Sequence, residues 1–421
     1  MPDHDVIGIG VGPANLSLAA LTAPLPELST LFLDDKPGFE WHRGLMLPDS
    51  QLTVTYFRDL VTLVDPTSEF SFLNFLVRQG RAFRFLEANG LSCSRREFEQ
   101  YYQWAAARLS SLRWGTRVES VAVAGDRFEV TCAGGATHTT RAVSVGSGPE
   151  PRLPAFAKAH EGRDVLHSGD FARVRPEWKG RRVVVVGAGQ SGAEVVNHLL
   201  ADEHALPASL TWTSSGPGFQ PLDDSPFTNE WFSSAYAGYF HGLSAARRAE
   251  LVTRQLRAGG DGITDELLGA VYRRLYHLDH VLRAGLRHRL LTSRRAVDLE
   301  RDGSAYRVTL HDEDRDGTEV LPADLVVLCT GYQRRIPEYL KPIQGQLAVR
   351  DGMFEVNADY SVDFDGPAGL RVYSQGFAEG EHGINDTLLS LVAWRSACVV
   401  NSLAGRQVYR TDADETTVAW Q

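Results

Sequence analysis

Two glycine-rich turns carry the most specific chemistry in this sequence. The first, Gly8-Ile9-Gly10-Val11-Gly12-Pro13-Ala14-Asn15, follows a β-branched run from Val6 and opens a helix-like segment. Glycines let the backbone turn tightly against a pyrophosphate, whose charge is favoured by the N-terminus of the next helix. Its spacing is GxGxGP where the strict pattern is GxGxxG, but the strand before it and the helix after it are in place. Asp34 ends the following strand, LFLD, where a carboxylate can accept hydrogen bonds from ribose hydroxyls. The second turn, with Gly187, Gly189, Ser191 and Gly192, keeps GxGxxG spacing after RRVVVV. The next strand, SLTWTSS, ends in Ser214 and Ser215 with no acid to repel a 2′-phosphate, which favours NADPH over NADH; no arginine stands at that strand end.

These turns need elements to hold them. Val6 to Gly10 reads as a strand and Ala14 to Leu21 as a helix, and Arg181 to Leu200 repeats the strand, turn and helix. Between them, Ser94 to Leu112 reads as helical, and Arg117 to Val145 alternates as antiparallel strands do. The stretches VSVGSGPEPRLP and LVVLCTGY mark crossovers between domains. Gly216 to Leu291 breaks the strand rhythm with aromatics and helix formers, and reads as an insertion that builds a substrate pocket. The fold class expected is α/β, with two Rossmann-like dinucleotide-binding domains and a helical substrate-binding insertion. The FAD-binding domain should span 1–168 and 336–421, and the NADPH-binding domain 169–335, including the insertion at 216–291.

Composition excludes several alternatives. The 421 residues are too many for one ordinary core. A net charge of −10 argues against non-specific attraction to nucleic acid or an anionic membrane. Cys93, Cys132, Cys329 and Cys398 are far apart, with neither a CxxC metal knuckle nor a disulfide framework. No apolar run is long enough to span a bilayer, and MPDHD lacks a basic signal region, so a cytoplasmic protein is expected. His277 and His280 have no third ligand nearby in sequence, and no metal is expected.

The long segments around the turns narrow the reading. The run FEWHRGLMLPDSQLTVTYFRDLVTLVDPTSEFSFLNFL (Phe39 to Leu76), with SRREFEQYYQWAA, PLDDSPFTNEWF, CTGY and HGINDTLLSLVAWRSA, resembles the flavin-dependent N-hydroxylating monooxygenases of siderophore biosynthesis. These act on lysine, ornithine and diamines, and the resemblance spans essentially the whole chain. It implies that NADPH reduces FAD, that O₂ adds to give a C4a-hydroperoxyflavin, and that a neutral amine attacks its distal oxygen. By the same resemblance, the partners are a small amine and O₂, and the family is often dimeric or tetrameric.

Several residues take expected roles from it. Asn229 matches the asparagine that hydrogen-bonds the substrate; the alternative is a helix N-cap. Arg58 stands where amino-acid hydroxylases usually carry a lysine that pairs with the substrate carboxylate; the alternative is an ion pair with Asp59 or another acid. Trp41 and His42 match a WHxG segment near the flavin, Thr53 replaces a glutamine near it, and Leu389 joins the cofactor contacts. His42 is not assigned as a catalytic base. Asp261, in GDGIT, could meet an ammonium or simply form an Asp-Gly turn. GDGIT and WRSA look closest to the lysine group, so hydroxylation of the L-lysine side-chain amine is expected, with cadaverine or putrescine as the alternative. A protein that binds flavin and NADPH without catalysis is the reading of another class.

Overall fold

The computed structural model describes residues 3–420; Met1, Pro2 and Gln421 of the expected first domain lie outside the described residues. The first unit is built on β1 (Asp3–Ile9), α1 (Pro13–Thr22), β2 (Thr30–Leu33), α2 (Arg95–Ala106) and β3 (Leu112–Arg113). A hairpin follows, β4 (Val118–Ala124) and β5 (Arg127–Cys132), then the long β6 (Thr137–Val145). The central strands β6, β1, β2 and β3 run parallel. β6 changes its outer partner partway along. Thr137 to Thr140 pair antiparallel with β5, and Ala142 to Val145 pair parallel with a strand from the C-terminal third. Val6 to Ile9 of β1 and the end of β6 are buried and largely apolar because both faces are covered, as parallel sheets require.

The second unit is a parallel sheet. It joins β7 (Val165–His167), β8 (Arg182–Val186) and β9 (Ser209–Thr213) to β10 (Arg287–Leu291) and β14 (Leu325–Leu328), in the order β10-β9-β8-β14-β7. Val183 and Val185 of β8 face a core shared with helix α3 (Gln190–Leu200), whereas Val184 and Val186 face the other side. There an antiparallel ribbon, β11 (Arg294–Asp302), β12 (Ala305–Asp312) and β13 (Gly317–Ala323), closes the core. Helices α4 (Ser234–His241), α5 (Ala245–Gly259) and α6 (Asp265–Tyr276) form the insertion. The chain then returns to the first sheet through β15 (Ser361–Val362) and β16 (Arg371–Ser374), ending in helix α7 (Val392–Ala404) packed beside α1.

Three expectations shift. The helix expected over Ser94 to Leu112 stops at Ala106, and Leu112 pairs with Phe32 as an edge strand. Val165–His167 pairs with β14, so the boundary expected at 168 moves ahead of Val165. The insertion ends before Arg287, because Arg287–Leu291 is the edge strand of the second sheet; its exposed Arg287 and Arg289 hide the strand signal. Both crossovers meet: Glu150–Pro151 pairs antiparallel with Tyr332–Gln333.

Candidate active site

The first glycine turn is held from within. Gly10 has φ +84°, and a Cβ there would lie 2.6 Å from the Gly146 carbonyl oxygen, so β6 and the turn touch backbone to backbone. Gly12 caps α1 in extended conformation with nothing within 4 Å of an added Cβ, and Pro13 follows at the first helical position, where its missing N–H is harmless. This leaves open space at the N-terminus of α1, the geometry a pyrophosphate needs. Asn15 was expected among the cofactor contacts, but its amide donates to the carbonyls of Ile9, Gly10 and Ser144 while its oxygen accepts from Ser144 Oγ. Its part is to brace the turn against β6. Asp34 is buried and accepts from the Val11 N–H at 2.6 Å and the Lys36 N–H at 2.8 Å, with Lys36 Nζ at 3.3 Å. Its carboxylate fixes the same turn from the β2 side.

Trp41 packs against Phe98 and Tyr102, and its backbone N–H donates to Glu99. His42 has φ +47° and its ring lies beside Trp41. The residue is exposed at the surface, yet protein surrounds the ring closely enough that desolvation, then the nearby Arg95 charge, lowers its pKa to about 4. A neutral imidazole of such weak basicity suits packing better than proton transfer at neutral pH.

The second turn has the same logic. Gly187 has φ +114°, and a Cβ there would meet the Cys329 carbonyl oxygen at 2.2 Å. Gly192 packs on Gly187, whose carbonyl accepts from Trp212 Nε1. Gly189 caps α3 in extended conformation, with only the Gly260 oxygen at 3.8 Å from an added Cβ. Ser191 lies half-buried in the first turn of that helix. Ser214 is buried and bonded to Gly218 and Gly216, whereas Ser215 is exposed beyond the strand end. The segment carrying Asp261 folds over this turn, because the Thr264 N–H donates to Gln190 and Ile263 pairs with Gln220 and Leu222. Asp261 itself is exposed. Thr53 faces a cavity of about 530 Å³ that also touches Gln190 and Glu194, which places it between the two units.

Arg58 does not pair with Asp59. The Asp59 carboxylate is buried and taken by the N–H groups of Val61, Thr62 and Phe72. Arg58 Nη1 donates instead to Ser390 Oγ at 2.6 Å, at the wall of a cavity of about 380 Å³. Burial presses its pKa below the usual guanidinium value. Leu389, next to Ser390, packs half-buried against the first core. The C-terminal residues Asp412, Asp414 and Glu415 line the same cavity, a contribution invisible in the sequence because they lie far along the chain. The tail is tied to the segment after Asn229: Ser234 and Asp414 bond each other, and Glu230 accepts the N–H groups of Thr417 and Val418 at 2.7 Å. Asn229 is exposed, and its amide donates to the Asp224 carbonyl at 2.8 Å. It makes no side-chain cap; Ser225 caps that helix.

A sheet unit with a phosphate-ready glycine turn, repeated, together with a charged cavity between Arg58 and the C-terminal tail, defines a two-dinucleotide oxidoreductase. The comparisons specify it further. The family model for L-lysine 6-monooxygenase/L-ornithine 5-monooxygenase matches residues 3–334. An L-lysine N6-monooxygenase of Escherichia coli is 34% identical over 99% of this chain and 98% of its own. The FAD-bound cadaverine monooxygenase of desferrioxamine biosynthesis from Erwinia amylovora superposes with TM-score 0.93 at 32% identity, covering 99% of this chain and 98% of that one. An ornithine N-hydroxylase of Kutzneria with reduced FAD, NADP⁺ and L-ornithine superposes with TM-score 0.89 at 29% identity, over 96% and 99% of the two chains.

The chain therefore belongs to the lysine/ornithine N-monooxygenase family, and it is a flavin-dependent N-monooxygenase using FAD and NADPH. No helix among the described residues is long and apolar enough to cross a membrane.

Proposed function

We propose that the enzyme hydroxylates the side-chain amine of L-lysine, with FAD on the first glycine turn and NADPH on the second. The product is a hydroxylamine for a siderophore or another N–O natural product. FAD, when bound, supplies the oxygen-activating chemistry and NADPH the reducing equivalents. The protein's residues do the rest. Gly12 and the N-terminus of α1 receive the pyrophosphate, and Trp41 packs against the neutral His42 ring beside the flavin. Asn229 orients the reacting amine.

The observation that carries the lysine reading is Arg58, a half-buried guanidinium held by Ser390 at the wall of a substrate-sized cavity. Its planar fork suits a carboxylate, which it can bind through two parallel hydrogen bonds. Asp412, Asp414 and Glu415 of the C-terminal tail, which line the same cavity, offer partners for the α-ammonium. Those same acids favour a second reading, a diamine such as cadaverine whose distal ammonium they would hold. Alkylammonium groups, with pKa near ~10.4, must lose a proton to become nucleophilic, and desolvation in such a cavity assists that.

The test is hydroxylamine formation measured beside NADPH consumption for lysine, ornithine, cadaverine, putrescine and histamine. Stoichiometric hydroxylamine from lysine supports the proposal, and from a diamine alone it supports the second reading. NADPH oxidation giving only peroxide with every amine overturns both assignments of substrate.

A further inference from the structure

Among the described residues, one buried charge pair joins the two units, and it lies where the second turn meets the first unit. Arg95 opens α2; Glu194 sits in the first turns of α3, one helical turn past Gly189. Arg95 Nη2 donates to Glu194 Oε1 at 2.6 Å and Nη1 donates to Oε2 at 3.1 Å, a two-pronged pair with side chains only 11% and 5% exposed. Ser50 Oγ, from the loop before α2, donates to Glu194 Oε2, and Gln190 Nε2 donates to Oε1. Gln190 Oε1 in turn accepts the Thr264 N–H, so the chain of bonds runs from the first unit through α3 to the segment bearing Asp261.

The neighbouring backbone contact is equally close. A Cβ on Gly44 would lie 1.6 Å from the Gly169 carbonyl oxygen, and Leu45 and Leu47 are embedded in the second unit's core. A charge in the otherwise apolar run GAEVV of this helix has no stabilising reason to be there alone, since burying an ion pair commonly costs about what it returns. What it does supply is a single, directional register between two bodies.

We infer that Arg95 and Glu194 are positioning residues: the pair fixes α3, and with it the second nucleotide site, at a set distance and angle from the first. This rests on the proposed assignment of NADPH to the second turn. Its consequence is that the pair governs how fast NADPH reduces the flavin and how little peroxide escapes.

The experiment compares Glu194→Gln, Arg95→Lys and the double variant Arg95→Met/Glu194→Met. Readouts are flavin content, anaerobic flavin bleaching by NADPH, the peroxide share of oxidised NADPH, and small-angle scattering of the apoprotein. Glu194→Gln should keep its flavin yet bleach at least tenfold more slowly, leak more peroxide, and scatter as a wider ensemble. Arg95→Lys, which keeps the charge without the fork, should fall between. The double variant removes the uncompensated charge, so its denaturation midpoint should recover while bleaching stays slow. Recovery of both together, or wild-type bleaching and scattering in Glu194→Gln, overturns the inference. Bleaching and scattering need no amine, so a failed substrate assignment leaves these outcomes readable.

Discussion

Gly12→Ala and Gly189→Ala separate the ligand's demand for glycine from the fold's. Both residues cap their helices with extended backbone, φ −92° and −93°, which alanine adopts without strain. An added Cβ at Gly12 meets nothing within 4 Å, and at Gly189 only an oxygen at 3.8 Å. The chain loses a little because alanine caps helices less well than glycine, and gains a similar amount because the unfolded state is less free. The apoprotein's stability should therefore change by less than about 1 kcal/mol. The new methyl instead enters the space a pyrophosphate fills. Crowding of that kind costs roughly 1–3 kcal/mol, a five- to 150-fold loss of affinity. Gly12→Ala should purify with little flavin and regain it only at raised FAD. Gly189→Ala should keep its flavin but show a KM for NADPH raised over the same range. Apoprotein denaturation midpoints, flavin absorbance and NADPH titration read all of this. Full flavin retention in Gly12→Ala, with wild-type KM for NADPH in Gly189→Ala, would refute the placement of pyrophosphates at these helix ends. Gly10→Ala and Gly187→Ala are the controls: positive φ and backbone overlap should destabilise the apoprotein itself.

Arg58→Ala should raise KM for lysine by roughly 10- to 150-fold, the worth of a charge-assisted bond, and change KM for cadaverine far less; equal effects on both would remove Arg58 from carboxylate recognition. Asp386→Asn leaves Arg395 charged and buried, and should cost roughly 3–5 kcal/mol in chemical denaturation, because that pair is almost fully enclosed. His382 is buried, stacked on Tyr360, and has a pKa lowered by burial to about 4. Between that value and 6.5 the unfolded chain binds the proton and the folded one does not, so stability falls as pH drops through this window, by roughly 3 kcal/mol in all. Denaturation midpoints of wild type and His382→Gln, compared at pH 7.5 and 4.5, check it: the variant should lose less on acidification, and parallel losses would exclude His382 as the source.

The sequence by itself determined what depends on near neighbours along the chain. Glycine spacing after a Val-rich strand announces a phosphate-ready turn, because the turn, the strand that feeds it and the helix that follows are contiguous. Long motifs such as FEWHRG and HGINDTLLSL carried the family for the same reason. Local pattern misjudged Arg287–Leu291, whose exposed arginines disguise an edge strand that only its partner β9 reveals. Nor could it show that the Asn15 side chain braces β6, a strand more than a hundred residues away. The tertiary structure alone decided which distant groups share a space. It placed Ser390 and the tail acids around Arg58, and set Arg95 against Glu194. A side chain's role in such places follows from which partners close its hydrogen bonds and exclude its water. Those partners are chosen by packing across the whole chain.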